Sequence, residues 1–296
     1  KVNVGIVQLV EHEALDAANK GFVDGLASKG YKEGQNITFD KQNAQADQSN
    51  LQNIAHRFVN NKVDLICAIA TPAAQTVANV TSDIPIVATA VTDYKTAKLV
   101  KDDAKPGTNV TGTTDMNPVA EQLDLLLKLV PNAKTIGTIY CSSEVNSQLQ
   151  VELLKKAAAA KGITVKEATV STVNDIQQAA RSLAGDVQAV YVPTDNVLAS
   201  AIPTLISVTE EAKLPVICAE GGMVRAGGLA TLGVDYYKLG FQTGVMAADI
   251  LSGKAKPADM AIQAQKEFKP TINLKEAAKI GLKVPEDLLK GAEVIK

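Results

Sequence analysis

The chain opens with an apolar run, a polar turn and an amphipathic helical pattern. Residues 4–10, VGIVQLV, form an almost continuous apolar run, which is typical of a strand that is covered on both faces. After a polar turn at 11–13, apolar residues recur at helical three- and four-residue steps until Gly30: Ala14, Leu15, Ala18, Phe22 and Leu26. Residues 2–30 therefore predict one strand–loop–helix unit.

The same plan returns in the second half of the chain. Residues 135–162 repeat the strand, the polar turn and the helix, and residues 54–75 align with 176–198. The run IPIVATA at 84–90 likewise matches LPVICAE at 214–220. Strands that alternate with helices of this length along the chain indicate βαβ units and parallel sheets.

We therefore predict an α/β protein with two similar, doubly wound parallel-sheet lobes and a ligand cleft between them. The pattern after Gly233 is too short for a third domain, so we expect the chain to cross back and complete both lobes. Parallel sheets bind ligands outside the carboxyl ends of their strands. The predicted lobes are residues 1–114 plus 236–267 for lobe one, and 115–235 plus 268–296 for lobe two.

Composition excludes several function classes. The 296 residues carry a net charge of −2 with scattered basic residues, which disfavours a nucleic-acid partner. Three cysteines and two histidines show no metal-ligand spacing, so we expect no metal and no cofactor. The chain lacks the G-x-G-x-x-G, G-x-x-x-x-G-K-[ST] and G-x-S-x-G motifs, so an enzyme is disfavoured and no catalytic residue is predicted. The absence of Trp argues against a sugar ligand.

Candidate ligand contacts follow the strands of the first half. Helix N-termini offer unpaired N–H groups and a partial positive charge, which suit a ligand carboxylate. We read Thr71 as an N-cap and Pro72 as the first helical residue, with small residues behind them. Capping and turn formation explain each position equally well. The candidates are Glu11, His12, Thr71, Ala73, Ala74, Gln75, Thr92 and Asp93.

The second half places acidic residues at the equivalent loops. Asp195 and Glu220 are candidate partners of a ligand ammonium through charge-assisted bonds, although an N-cap would look identical in the sequence. Asp235 lies at a predicted crossing, where a capping role is as good an interpretation as ligand contact. The candidates are Glu144, Asn146, Ser147, Thr194, Asp195, Asn196, Glu220, Gly221 and Asp235.

Five stretches together resemble one known family. They are GIVQLVEHEALDAANKGFVDGL, VTGTTD, SSEVNS, VPTDN and AEGGMVRAGGLATLGVDYYKLG, in that order. This ordered set is similar to substrate-binding proteins of ABC transporters of the tryptophan or aromatic amino acid type. The resemblance spans essentially the whole chain, and it implies the class I periplasmic-binding-protein fold.

The resemblance also implies a function and a location. We expect an extracytoplasmic receptor, free in the periplasm or held at the cell surface by a lipid anchor. It would close its cleft on a zwitterionic, aromatic or large apolar amino acid and hand it to a membrane permease. We expect a monomer, and a mature chain whose signal peptide precedes Lys1. Two alternatives remain: a receptor of this fold for another cargo, such as a nucleoside, and a ligand-sensing signalling domain.

Overall fold

The computed structural model describes residues 1–296 and divides the chain into two compact units. Unit 1 comprises residues 1–116 and 235–266, and unit 2 comprises residues 117–234 and 267–296. The predicted lobe boundaries lie within two residues of these positions. None of the helices has the length and apolar character that crossing a membrane requires.

Unit 1 is built on a six-stranded sheet with helices on both faces. Its elements are β1 (Val2–Gln8), α1 (Glu13–Ser28), β2 (Ile37–Asn43), α2 (Gln48–Asn60), β3 (Leu65–Ile69), α3 (Thr71–Val80), β4 (Ile86–Val91), β5 (Val110–Thr114), α10 (Tyr236–Leu251) and β11 (Gln263–Ala264). The strand order is β11-β5-β4-β3-β1-β2, and every neighbouring pair is parallel. The central strands β3 and β4 are buried along their whole length, as their continuous apolar runs predict.

Unit 2 is built on a seven-stranded sheet in the order β13-β12-β10-β9-β8-β6-β7. Its elements are α4 (Val119–Leu129), β6 (Thr135–Cys141), α5 (Val145–Ala159), β7 (Thr164–Val170), α6 (Ile176–Ala184), β8 (Ala189–Val192), α7 (Asn196–Ala199), α8 (Ile202–Glu211), β9 (Val216–Cys218), α9 (Gly221–Arg225), β10 (Ala230–Gly233), β12 (Lys269–Asn273), α11 (Leu274–Lys279) and β13 (Glu293–Ile295). One apolar cluster joins α4, α5 and α11 to the sheet, and a second joins α6 and α8 to it. The predicted α/β class with two parallel-sheet lobes is confirmed.

Four elements differ from what the hydrophobic pattern of the sequence predicts. The pattern predicts one helix over 196–211, whereas the structure has α7 and α8, because Pro203 cannot donate the backbone hydrogen bond that a continuous helix needs. The pattern predicts a loop over 221–225, where the structure has the short helix α9. It also predicts one strand over 262–268, whereas the structure has β11 in unit 1 and β12, which begins at Lys269, in unit 2. The edge strand β13 is not predicted.

Strand β12 is also antiparallel to β10, whereas the prediction was of parallel strands throughout. The reason is topological. Strand β10 ends just before the chain leaves unit 2, and β12 begins just after it returns. A strand that enters the sheet where its neighbour ends must run in the opposite direction.

Helix α10 is held to unit 1 through glycines. A Cβ atom on Gly244 would collide with the backbone oxygen of Phe22, and one on Gly25 would collide with that of Phe241. The backbones of α1 and α10 therefore touch, which side chains larger than hydrogen would prevent. This close packing attaches α10 to unit 1 where the chain comes back from unit 2.

Candidate functional site

The N-terminus of α3 is the first candidate loop with unusual geometry. Ala70, at φ 91° and ψ 155°, lies in a region that essentially only glycine occupies without strain. Ala70 is the N-cap and offers no side-chain hydrogen bond to the helix. The prediction that Thr71 is the N-cap was therefore wrong: Thr71 is the first helical residue and Pro72 follows it.

The Thr71 hydroxyl is the feature of this helix end that calls for a partner. The residue is 2% exposed, and its Oγ1 atom makes no hydrogen bond. A buried hydroxyl without a partner costs free energy, roughly 1–3 kcal/mol. The first turn of a helix also has N–H groups without intrahelical acceptors, and the neighbouring Ala73 and Ala74 are fully buried and small. This helix end therefore suits an anion.

Strand β4 ends in a bulge next to α3. Its register with β5 shifts between Ala88 and Val91, and Ala90 adopts φ 56°. The buried Tyr94 hydroxyl lies 2.9 Å from the carbonyl oxygen of Ala88 and 2.8 Å from that of Thr113. Tyr94 thus satisfies carbonyl groups at the bulge, and this arrangement fixes the direction in which the chain leaves β4.

Three of the remaining candidates of unit 1, Gln75, Thr92 and Asp93, have partners within the unit. Gln75 donates to the Ala97 carbonyl over 3.4 Å, and the Thr92 hydroxyl donates to Asp115. Asp93 accepts hydrogen bonds from the backbone of Lys95 and Thr96, which closes a turn. At the start of α1, Glu11 is exposed and His12 is half-buried, in the N-cap position without a side-chain capping bond.

Asp235 and Asp115 lie where the chain passes between the units. Asp235 caps α10 by accepting a hydrogen bond from the Lys238 N–H over 3.0 Å. Asp115 is buried and accepts a hydrogen bond from the Tyr236 hydroxyl. Burial raises the pKa of Asp115 to about 6, although the hydrogen bonds that Asp115 accepts from Tyr236 and Thr92 oppose the rise.

In unit 2, Glu144 and Asp195 tie two loops together. Glu144 Oε2 accepts hydrogen bonds from the backbone N–H groups of Asn196 (3.0 Å) and Val197 (3.2 Å) at the start of α7. Asp195 Oδ2 accepts from the Cys141 N–H at the end of β6 and from the Ser147 hydroxyl of α5, each over 2.6 Å. Hydrogen bonds in both directions therefore connect the loop that precedes α5 with the loop that precedes α7.

Asp195 is a structural residue as well as a candidate ligand contact. It is 0% exposed, and its second oxygen, Oδ1, caps α7 through the Leu198 N–H over 3.0 Å. Both carboxylate oxygens are thus engaged within unit 2. The sequence does not reveal this burial, because an exposed N-cap and a buried one look alike in it.

Burial and mutual repulsion keep the two carboxyl groups from ionising together. Burial, and secondly the charge of Asp195, raise the pKa of Glu144 well above its usual range. Burial also raises the pKa of Asp195, although its hydrogen bonds from Ser147, Leu198 and Cys141 favour the ionised form. Glu144 is thus the member of the pair that holds a proton most strongly.

Asn146 also has a buried oxygen that lacks a hydrogen-bond partner. Its Nδ2 atom donates to Glu144 Oε1 over 3.1 Å and to the Thr194 carbonyl over 3.0 Å. Its Oδ1 atom is buried and accepts no hydrogen bond. Asn196 Nδ2 donates to the same Glu144 oxygen over 2.7 Å. Asn146 Oδ1 is therefore an acceptor suited to an N–H donor.

Gln150 belongs to this loop cluster, and sequence analysis missed it. Its Oε1 atom accepts from the Thr194 N–H over 2.8 Å, and its Nε2 atom donates to the Asn146 carbonyl over 3.1 Å. Gln150 is fully buried, one helical turn after Asn146 on α5. The sequence does indicate this position, because a glutamine four residues after Asn146 lies on the same face of the helix.

Glu220 and Gly221 follow β9. Glu220 is buried and caps α9 by accepting a hydrogen bond from the Met223 N–H over 2.5 Å. Gly221 packs against the Arg225 guanidinium group, which itself pairs with Glu293 over 3.0 Å. The helix ends α7 and α9 of unit 2 thus each have a carboxylate cap from their own chain.

Comparison with models of protein families shows which family this chain belongs to. The model of the family described as "ABC transporter substrate binding protein" matches residues 3–296. The chain belongs to this family. The family resemblance seen in the sequence motifs is therefore confirmed.

This substrate-binding protein has relatives of known ligand. The "Tyrosine-binding protein" of Clostridioides difficile (strain R20291) is 49% identical over 253 residues, which are 86% of this chain and 73% of that protein. An ABC domain in complex with L-Trp from Streptococcus pneumonia is 41% identical, with a TM-score of 0.96 and full coverage of both chains. The ligand-free, open structure of a substrate-binding protein with adhesive properties from Clostridium difficile is 44% identical, with a TM-score of 0.76, and the match covers 100% of this chain and 99% of that one.

Proposed function

We propose that this substrate-binding protein is the extracytoplasmic receptor of an ABC importer for an aromatic L-amino acid. It binds the free amino acid and delivers it to a membrane permease without chemical change. Family membership supports the receptor role. The relatives described as tyrosine-binding and as an L-Trp complex support an aromatic side chain.

The observation that carries the proposal is the N-terminus of α3. A ligand carboxylate there would accept the hydrogen bond that the buried Thr71 hydroxyl otherwise lacks. It would also accept from N–H groups of the first helical turn, in the favourable field of the helix dipole. Pro72 reduces the number of such N–H groups by one, so the Thr71 hydroxyl gains in importance.

The ammonium group would bind to the loops of unit 2. Asn146 Oδ1 lacks a hydrogen-bond donor, and the buried carboxyl groups of Glu144, Asp195 and Glu220 make these loops electronegative. Because the oxygens of Asp195 are engaged by Cys141, Ser147 and Leu198, we propose that Asp195 acts on the ammonium through its charge and through the positions of its neighbours.

Titration calorimetry with L-tyrosine, L-tryptophan, L-phenylalanine and L-leucine tests the proposal. The aromatic amino acids should bind, and Thr71→Val should weaken their binding by about tenfold, the value of one hydrogen bond to a charged group. Thr231→Val is the matched control, since Thr231 is also buried with an unpartnered hydroxyl but lies within β10 of unit 2. Failure of all four amino acids to bind, or equal losses in both variants, would refute the proposal.

A further inference from the structure

Asp115 is a buried carboxyl group at the point where the chain leaves unit 1. It is 3% exposed and directly follows β5. Its Oδ2 atom accepts a hydrogen bond from the Tyr236 hydroxyl at the start of α10, and its Oδ1 atom accepts one from the Thr92 hydroxyl after β4 over 3.4 Å. Tyr236 lies where the chain comes back to unit 1. The side chain of Asp115 therefore connects three segments of unit 1 that are separate in the sequence.

The backbone of Asp115 is also bound to the end of β4. Its N–H group donates to the Val91 carbonyl over 3.1 Å. The same end of β4 contacts the start of α3, because the Ala70 N–H donates to the Thr89 carbonyl over 3.0 Å. The end of β4 thus connects Asp115 to the helix start at which we propose that the ligand carboxylate binds.

The two hydroxyl donors suit an ionised Asp115. A carboxylate only accepts hydrogen bonds, whereas a protonated carboxyl group also carries a donor. Protonation would therefore direct a donor at another donor and displace the Tyr236 or the Thr92 hydroxyl. Burial brings this protonation near to neutral pH, since it raises the pKa of Asp115 to about 6. The titratable groups beside Asp115 are the phenols of Tyr236 and Tyr94, which are neutral at this pH.

We propose that Asp115 is a positioning residue for the ligand, and that its ionised form holds the end of β4 and the start of α10 in the arrangement that binding requires. This inference rests on the proposed function. Asp115 does not contact the ligand in this account but acts through Thr92 and Tyr236. Protonation of Asp115 rearranges the end of β4, so the start of α3 loses the position in which it accepts the ligand.

Titration calorimetry with L-tyrosine or L-tryptophan between pH 5 and pH 7 tests the inference. The ligand stays a zwitterion in this range, so its own groups cause no change in affinity. Because the ionised form of Asp115 favours binding, the affinity should fall as the pH decreases through about 6. We expect binding at pH 5 to be about five- to tenfold weaker than at pH 7.

Asp115→Asn imitates the protonated form, because its amide has one acceptor and one donor. At pH 7 it should bind the ligand about five- to tenfold more weakly than the wild type, with no further change down to pH 5. Its free energy of unfolding at pH 7 should not decrease, since the variant no longer buries a charge. A purely structural role of Asp115 would instead lower stability and affinity together, which urea denaturation distinguishes.

Two neighbouring tyrosines provide a matched pair of variants. Tyr236→Phe removes the hydrogen bond to Asp115 and should weaken ligand binding. Tyr237→Phe also removes a tyrosine–aspartate hydrogen bond, over 2.6 Å, but that bond joins α10 to Asp24 of α1. Tyr237→Phe should therefore bind the ligand as the wild type does.

Histidine also titrates in this pH range, so His12→Gln separates the contribution of His12. The affinity of His12→Gln should fall with pH as that of the wild type does. A pH dependence that persists in Asp115→Asn, or a wild-type affinity that does not fall at pH 5, would overturn the inference and leave the proposed function intact. Failure of the amino acids to bind the wild type at pH 7 would instead refute the proposed function. If Asp115→Asn does not fold, the inference requires that Tyr236→Phe binds more weakly than Tyr237→Phe.

Discussion

The helix end that follows β3 in unit 1 differs from the helix ends that follow β8 and β9 in unit 2. In unit 1, α3 begins at the strained Ala70 without a side-chain cap, and the hydroxyl beside it has no partner. In unit 2, Asp195 caps α7 and Glu220 caps α9. The same fold therefore presents an anion-accepting helix end at α3 of unit 1 and negatively charged helix ends at α7 and α9 of unit 2, although carboxylates also cap α2 and α10 of unit 1.

This difference gives the helix ends of the two units opposite charge preferences. A carboxylate is stabilised at an uncapped helix N-terminus and is repelled where a carboxylate cap is already present. An ammonium has the opposite preference. Two lobes from one repeated plan thus differ, through a few cap residues, in the charge that these helix ends favour.

The largest expected effect comes from giving α3 of unit 1 a carboxylate like those at the starts of α7 and α9. Thr71→Asp would place a negative charge at the start of α3, where we propose that the ligand carboxylate binds. Like charges in contact cost several kcal/mol, so the affinity for L-tyrosine or L-tryptophan should fall by about 100-fold or more. Thr71→Asn has the same shape without the charge and should cost less than about tenfold. Equal losses in the two variants, measured by calorimetry, would contradict the assignment of an anion site.

Removing a buried carboxylate from unit 2 should affect folding as well as binding. Asp195→Ala leaves the Cys141 N–H, the Leu198 N–H and the Ser147 hydroxyl without acceptors. We expect a loss of about 2–4 kcal/mol in the free energy of unfolding, measured by urea denaturation. Asp93→Ala removes a turn aspartate of unit 1 that also accepts three hydrogen bonds but in an exposed setting. A loss in Asp93→Ala as large as that in Asp195→Ala would show that burial is not the cause.

The units also differ in how they hold the segment that returns to them. Unit 1 receives helix α10, whose backbone touches that of α1 at Gly244 and Gly25, whereas unit 2 receives strand β12. Gly244→Ala should lower the free energy of unfolding by about 2–3 kcal/mol, because the added methyl group meets backbone atoms that cannot move easily. Gly185→Ala, where a Cβ has open space and φ is −83°, should be neutral or slightly stabilising. Thermal unfolding that ranks the two variants in the opposite order would contradict the close packing of α10 on α1.

Stability should fall as the pH rises, chiefly through unit 2. Burial, and secondly a hydrogen bond that protonated Glu276 donates to Glu210, raise the pKa of Glu276 to about 8. The unfolded chain loses this proton near pH 4.5 whereas the folded chain keeps it, so stability is lost as the pH rises through this interval. Glu144 acts in the same direction, and Asp115 of unit 1 does so up to about pH 6. We expect a decrease of roughly 1–3 kcal/mol between pH 5 and pH 8.

Urea denaturation at several pH values measures this decrease. Glu276→Gln should make the profile flatter, because the neutral amide has no proton to lose. The exposed Glu152→Gln is the control. A wild-type stability that rises from pH 5 to pH 8 would show that the raised pKa values of the buried carboxyl groups do not govern the pH dependence.

The periodicity of the sequence predicts most of the fold, because alternating apolar strands and amphipathic helices are local patterns. It also indicates which strand ends carry polar groups. It does not show that Asp195 is buried, that Thr71 is helical with an unpartnered hydroxyl, or that β12 is antiparallel. Those features depend on which segments meet in the folded chain. Short elements such as α9 and β13 have too few residues for a recognisable period.

Ligand analogues compared between wild type and Thr71→Val give the decisive measurement. Calorimetry would use L-tyrosine, its deamino analogue and tyramine, which lacks the carboxylate. We expect Thr71→Val to weaken the binding of the two carboxylate-bearing ligands by about tenfold and to leave the weaker binding of tyramine unchanged. The proposed role of Thr71 would be contradicted if Thr71→Val reduced the affinity for tyramine as much as that for L-tyrosine, or if removal of the carboxylate left the wild-type affinity unchanged.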